Sequence, residues 1–258
     1  MSICGIIKAM NDLEIKMLEL LTELKNDYFA QGLKAEFEAE GASLDEVLFL
    51  KELATRTSMS LTIKIGGCEA IKDMQETKSI GIDTIVAPMI ESPYAFKKFI
   101  NAADKIFNCT VKKYINIETI NGFNYLDEIL QSPQCADLNG IVFGRTDMCG
   151  SLNLSSNSVN SNEILEFAKK ISEKTNFANK EFVIGGGICV NSIGFLNSLQ
   201  YLSAFETRKI IFNSSVLKKN DAEKAIQKAL EFELLWLKNK NAHNTSDNNR
   251  IKILETRI

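Results

Sequence analysis

KYINIETINGFNYLDEI (Lys113–Ile129) and NGIVFGRTDMCGSL (Asn139–Leu152) together decide how this chain folds. Each opens as a strand that runs into a polar turn. Ile115 and Ile117 alternate with Tyr114, Asn116 and Glu118, and Ile141–Phe143 is an apolar run that breaks at Gly144 and delivers Asp147 just beyond. Alternation and β-branched content are strand signals, and glycine is where a strand can bend. Two carboxylates, Glu118 and Asp147, therefore stand at the carboxyl ends of consecutive strands. Parallel strands joined by a helix put such ends side by side on one rim of a sheet. Two hard oxygen ligands there would suit Mg²⁺ or Mn²⁺. They would serve as well as solvated acidic side chains, and spacing alone leaves both readings standing.

Working outward, the pattern repeats. Leu33–Glu40 sets Ala35, Phe37 and Ala39 against Lys34, Glu36, Glu38 and Glu40, a charged face that fits a barrel only where it points into a polar mouth. Leu61–Gly66 places Thr62, Lys64 and Gly66 on one face, and Thr84–Ile90 is apolar on both, as a buried parallel strand should be. Glu181–Gly187 ends in three glycines, Arg208–Asn213 is a further strand, and Ile3–Lys8 completes a set of eight. Helices are expected between them. Asn11 with Glu14 and Ser43 with Glu46 read as capping boxes, opening helices to Leu24 and Arg56. Ser92-Pro93 opens one to Phe107. Others are expected at Cys68–Ser79, from Asn160 and Glu163 to Lys174, at Asn191–Leu202 and at Asn220–Lys238.

Eight strands alternating with helices predict an α/β fold, a (β/α)8 TIM barrel. The 258 residues form one such domain, ending in a polar connection from Asn239 and a short C-terminal helix at Arg250–Ile258. A net charge of −3 and the lack of a Lys/Arg-rich run argue against a nucleic-acid surface. No apolar run approaches membrane-spanning length, and the one in MSICGIIKAM is too short for a signal peptide. The six cysteines, none in a CxxC pair, read as reduced thiols of a cytoplasmic protein, with Cys149 buried for packing.

At the quoted residues the chain resembles the HpcH/HpaI aldolase and citrate lyase β-subunit family, whose members are (β/α)8 barrels. The resemblance runs from about Leu33 to Leu217 and includes IKIGGCEAI (Ile63–Ile71) and IVAPMIESP (Ile85–Pro93). It implies that Glu118 and Asp147 bind the divalent metal, Mg²⁺ or Mn²⁺. It implies also that backbone amides of Gly144, Arg145 and Thr146 hold the carboxylate of a pyruvyl group, an anion nest. At Lys64 the aldolase branch carries an arginine that holds substrate and steadies the enolate; lysine is a point charge without that fork. The family's acidic turn, here Glu36, Glu38 and Glu40, ends in a histidine base in the aldolases, but Gly41 stands in its place and the only histidine is His243. Glu38 or metal-bound water is then the expected base. Family members often pack C-terminal helices against a neighbour, so a homo-oligomer is expected.

The reading that results is a metal-dependent carbon–carbon lyase acting on a small 2-oxo acid, with Lys64 and Glu38 catalytic. Its rivals are a barrel that binds an oxo acid or phosphorylated ligand without turnover, and a β-hydroxyacyl-CoA lyase, for which no basic patch is visible. Lys64 paired with Glu36 or Glu38 is the bland alternative for that side chain, and Schiff-base chemistry there would need an apolar pocket. Arg145 either adds charge to the site or faces solvent. Gly186 and Gly187, after what would be strand seven, either admit a phosphate or other anion or simply make a tight turn.

Overall fold

The computed structural model describes residues 10–37, 39–219, 221–241 and 248–256. Eight strands close into one barrel in chain order: β1 (Ala30–Glu36), β2 (Ser60–Lys64), β3 (Thr84–Ala87), β4 (Lys112–Ile117), β5 (Gly140–Gly144), β6 (Glu181–Gly185), β7 (Ala204–Glu206) and β8 (Ile210–Asn213). Around them run α1 (Asp12–Asp27), α2 (Leu44–Arg56), α3 (Ile71–Ile80), α4 (Pro93–Phe107), α5 (Ile120–Asn124), α6 (Leu126–Gln131), α7 (Arg145–Ser151), α8 (Asn162–Phe177), α9 (Ile193–Asn197), α10 (Ala222–Asn241) and α11 (Asn248–Glu255).

The strand period of two separates two apolar layers. Leu33, Leu61, Ile63, Ile85, Ile115, Ile141, Phe143, Phe182 and Phe212 belong to the large core shared with the helices. Their alternates Val86, Tyr114, Val142, Val183, Ala204 and Ile211 form a separate small cluster, the interior of the barrel. Both expected capping boxes are present: Asn11 Oδ1 accepts from the Glu14 N–H at 2.9 Å, and the Ser43 N–H reaches Glu46 at 2.7 Å. Ser92 caps α4 through the Ala95 N–H, with Pro93 at its first position.

The eighth place in the barrel is filled differently from the expectation. Ile3–Lys8 lies outside the described residues, and the missing stave is β7, in the gap between the expected helix Asn191–Leu202 and the expected strand Arg208–Asn213. That helix stops at Asn197. Staves β1 to β7 pair in parallel, whereas β8 is antiparallel to both β7 and β1. Arg208 and Lys209 therefore leave the expected strand and enter a hairpin turn. Thr207 closes it: its N–H donates to the Ile210 carbonyl at 2.9 Å, and its Oγ1 accepts the Ile210 N–H at 3.1 Å.

From β8 the chain returns along α10, antiparallel to α1, with Asn11 to Asn239 at 3.0 Å near one end and Lys228 to Glu23 at 2.9 Å nearer the other. The terminal helix α11 docks on α10 through buried Leu254 and through Arg250, which donates twice to fully buried Glu233, at 2.7 and 3.1 Å. Among the described residues no helix is long and apolar enough to cross a membrane.

Candidate active site

Because Cβ atoms alternate along a strand, every second residue near the carboxyl end of a stave points into the barrel mouth. Lys34 and Glu36 of β1, Lys64 of β2, Asn116 of β4 and Glu206 of β7 do so, and this is the polar mouth that the charged face of β1 requires. With Glu118, Gly144, Thr146, Asp147 and Gly185–Gly187 they line a cavity of about 860 Å³.

Glu118 is its best-anchored member, only 1% exposed. Its Oε1 accepts the Met89 N–H at 3.1 Å, and its Oε2 accepts Asn116 Nδ2 at 2.7 Å and Lys64 Nζ at 3.5 Å. Met89 reaches this position by a left-handed turn, φ 49°, in a residue type that seldom adopts one. Such strain clusters at functional sites. Gly144 makes room for the carboxylate, since a Cβ there would lie 2.6 Å from Glu118 Oε2.

Asp147 lies beside Glu118 and is open to the cavity. Its pKa is raised, first by burial and then by the Glu118 carboxylate next to it. The inner ring sets four carboxylates (Glu36, Glu118, Asp147, Glu206) against the two ammoniums of Lys34 and Lys64. Asn116 Oδ1 is buried without a hydrogen-bond partner among the described residues. Two adjacent carboxylates and an orphaned amide oxygen fit a hard divalent cation such as Mg²⁺ or Mn²⁺. The fit is of the sparse kind: among the described residues no three His, Cys, Asp or Glu side chains converge, so water or substrate would complete the shell.

Lys34 binds two carboxylates at once, Glu206 and, at 2.9 Å, Glu36. Burial opposes its charge, but the two carboxylates outweigh burial and its pKa is raised. Burial likewise opposes the Glu36 charge, yet Lys34 and Lys64 lower its pKa from 4.5 to about 2. The folded chain therefore binds fewer protons at Glu36 than the unfolded chain between those values. Its contribution to stability is complete above pH 4.5 and lost as pH falls toward 2. Acid unfolding followed by circular dichroism should start at a higher pH in the wild type than its other carboxylates require. A Glu36→Gln variant should lose that part of the pH dependence.

Several expected site residues are placed differently. Glu38 lies outside the described residues. Arg145 neither faces solvent nor reaches the cavity: it is fully buried, and burial lowers its pKa to about 10. Its guanidinium donates to the carbonyls of Gly185, Gly186 and Val159 at 3.2, 2.7 and 3.3 Å and to Asn160 Oδ1 at 2.6 Å, and it stacks on the Phe195 ring at 4.8 Å. Gly186 and Gly187 line the cavity but follow the sixth stave, so the analogy with phosphate loops after strands seven and eight falls away. Gly186, at φ 81°, is required by packing, since a Cβ would sit 2.6 Å from the Thr146 nitrogen. Lys64 lies beside Glu118 rather than in the apolar pocket that Schiff-base chemistry wants. Sequence reasoning missed Lys34, Asn116 and Glu206. Asn116 and Lys34 carry a usable signal, polar residues at inward positions of apolar strands, but Glu206 sits on a three-residue strand with none.

No family model matches the chain, and no curated protein matches it by sequence. Solved structures do match in shape. An HpcH/HpaI aldolase from Desulfitobacterium hafniense DCB-2 superposes with a TM-score of 0.61 at 13% identity, over 84% of this chain and 88% of that one. An HpcH/HpaI aldolase/citrate lyase family protein from Burkholderia cenocepacia J2315 gives 0.57 at 13%, over 81% and 98%. The citrate synthase SbnG gives 0.57 at 15%, over 82% and 89%. Identities this low speak for the fold: the chain has the barrel of the HpcH/HpaI aldolase and citrate lyase group.

Proposed function

We propose that this barrel is a divalent-metal-dependent carbon–carbon lyase, or aldolase, acting on a 2-oxo acid through its enolate. The observation that carries the reading is Glu118 beside Asp147, with the orphaned Asn116 Oδ1, at the mouth of a barrel of this shape. The structural neighbours are described as aldolases, a citrate lyase family protein and a citrate synthase, names for the making or breaking of carbon–carbon bonds. A Mg²⁺ or Mn²⁺ ion held by Glu118, Asp147 and Asn116 would supply Lewis-acid polarisation of the substrate carbonyl.

The chain's own residues do the rest. Lys64 sets a positive charge at the same rim, where negative charge would develop on an enolate oxygen. Asn116 and Met89 hold the Glu118 carboxylate so that it does not have to reorganise. The Gly144–Thr146 turn borders the same cavity through Gly144 and Thr146, with Gly186 packed against its Arg145 and Thr146 amides. Deprotonation of the substrate hydroxyl would fall to Glu38, to water or to another cavity carboxylate.

The test is a panel of 4-hydroxy-2-oxo acids incubated with Mg²⁺ or Mn²⁺ and assayed for released pyruvate. Release that chelation abolishes and added metal restores is expected. Silence across the panel, alongside tight oxalate binding in Mg²⁺, would leave a barrel that binds oxo acids without turning them over.

A further inference from the structure

We propose that Glu206 carries protons between the substrate cavity and bulk water, through the hollow at the opposite end of the barrel. The proposal rests on the enolate reading above. A second cavity, of about 590 Å³, opens at the amino-terminal end. Val142 and Glu206 line both cavities, so one carboxylate serves as floor to the upper space and ceiling to the lower. Barrel interiors are ordinarily filled by layers of bulky side chains. Here the positions facing the lower cavity include Ser60, Thr62, Thr84 and Ser203. Short hydroxylated side chains leave space. These hydroxyls, with Lys112 and Glu181, give the cavity polar groups for water beside the apolar Val86, Val142, Val183 and Ile211.

Glu206 itself is 4% exposed and touches Lys34. Gly185 gives it room, since a Cβ there would lie 3.0 Å from Glu206 Oε1. The groups that face it are Lys34 and Glu36 from β1 and Lys64 from β2. One ammonium, Lys34, is shared between two carboxylates. Glu36 gains further support from Lys64 and Arg208 and keeps its charge. Glu206 is the drier and less compensated of the pair, and burial raises its pKa. A carboxyl group so placed takes and returns a proton more readily than its neighbour.

With pyruvate in the upper cavity, the Glu206 carboxylate takes one proton from the methyl carbon. The C–H electron pair moves into the enolate. The resulting acid exchanges its proton with water in the lower cavity and returns one to the same carbon, so carboxylate and pyruvate end as they began.

Deuterium uptake tests this: the intact protein with Mg²⁺ and pyruvate in D₂O, followed by loss of the methyl proton signal. Wild type is expected to accelerate exchange. Glu206→Gln should slow it about a hundredfold or more, with oxalate affinity in Mg²⁺ within about threefold of wild type, a split that a merely structural role would not give. Glu206→Asp should recover part of the rate. Thr84→Phe plugs only the lower cavity, leaves Glu206 in place, and should slow exchange about tenfold. Exchange by folded Glu206→Gln at the wild-type rate overturns the proposal, as does a plug without effect. Wild type that binds oxalate but exchanges no deuterium overturns it too, leaving the binding site intact. Failure to bind oxalate sinks the enolate reading as well.

Discussion

Asp147→Asn is expected to raise the melting temperature of the metal-free protein and to erase the further rise that Mg²⁺ or Mn²⁺ gives the wild type. The two effects have opposite signs for one electrostatic reason. Asp147 sits beside Glu118, and its raised pKa means that its charge costs stability at neutral pH unless a cation is present. Asparagine removes that repulsion and with it the second of the two anionic oxygens proposed to hold the ion. For wild type, metal at a hundred times its dissociation constant would stabilise by about 2.7 kcal/mol, or roughly 5–10 °C for a chain of this size. Glu118→Gln should also lose the metal effect, but with a fall in basal stability of about 2–4 kcal/mol. Glutamine is a poor acceptor for the three donors that converge on Glu118, from Met89, Asn116 and Lys64. Calorimetric titration of each variant should show metal affinity down by about a hundredfold or more, beyond the loss typical of residues that only support a ligand. Undiminished binding in the Asp147→Asn, Glu118→Gln double variant would remove the metal site.

The second large effect belongs to Arg145. Arg145→Ala should cost roughly 4 kcal/mol, a cavity plus several buried acceptors left without a donor, against a total stability of about 5–15 kcal/mol for a typical protein. No carboxylate pairs with this cation among the described residues; its partners are the carbonyls of Val159, Gly185 and Gly186, the Asn160 and Ser192 side chains and the Phe195 face. It ties three segments, 159–160, 185–186 and 192–195, behind the turn that carries Asp147. Arg145→Lys keeps the charge but not the planar fork, and should recover only part of the loss. A urea titration gives the stability and an oxalate titration the site. A raised oxalate dissociation constant with unchanged stability would mean instead that Arg145 serves the ligand directly.

Much of the fold was legible in the chain itself. Strand alternation at Tyr114–Glu118, the apolar run before Gly144 and three helix starts, at Asn11, Ser43 and Ser92, are local physics: side-chain period, backbone donors that need capping, and a proline that fits only a first turn. They were enough to place Glu118 and Asp147 at the ends of neighbouring staves. Tertiary structure alone decided the rest. A strand as short as Ala204–Glu206 has too few residues to show a period, and its pairing energy comes from staves far away in sequence. The reversed direction of β8 followed from a hairpin that Thr207 closes, and put Arg208 in the turn. Whether Arg145 faced ligand, water or carbonyl groups depended on what three distant segments left unpaired. Which of the acids received a lysine was likewise fixed only on closure, because Lys34 and Glu206 come from opposite ends of the chain and Coulomb's law acts on distance, not on sequence separation.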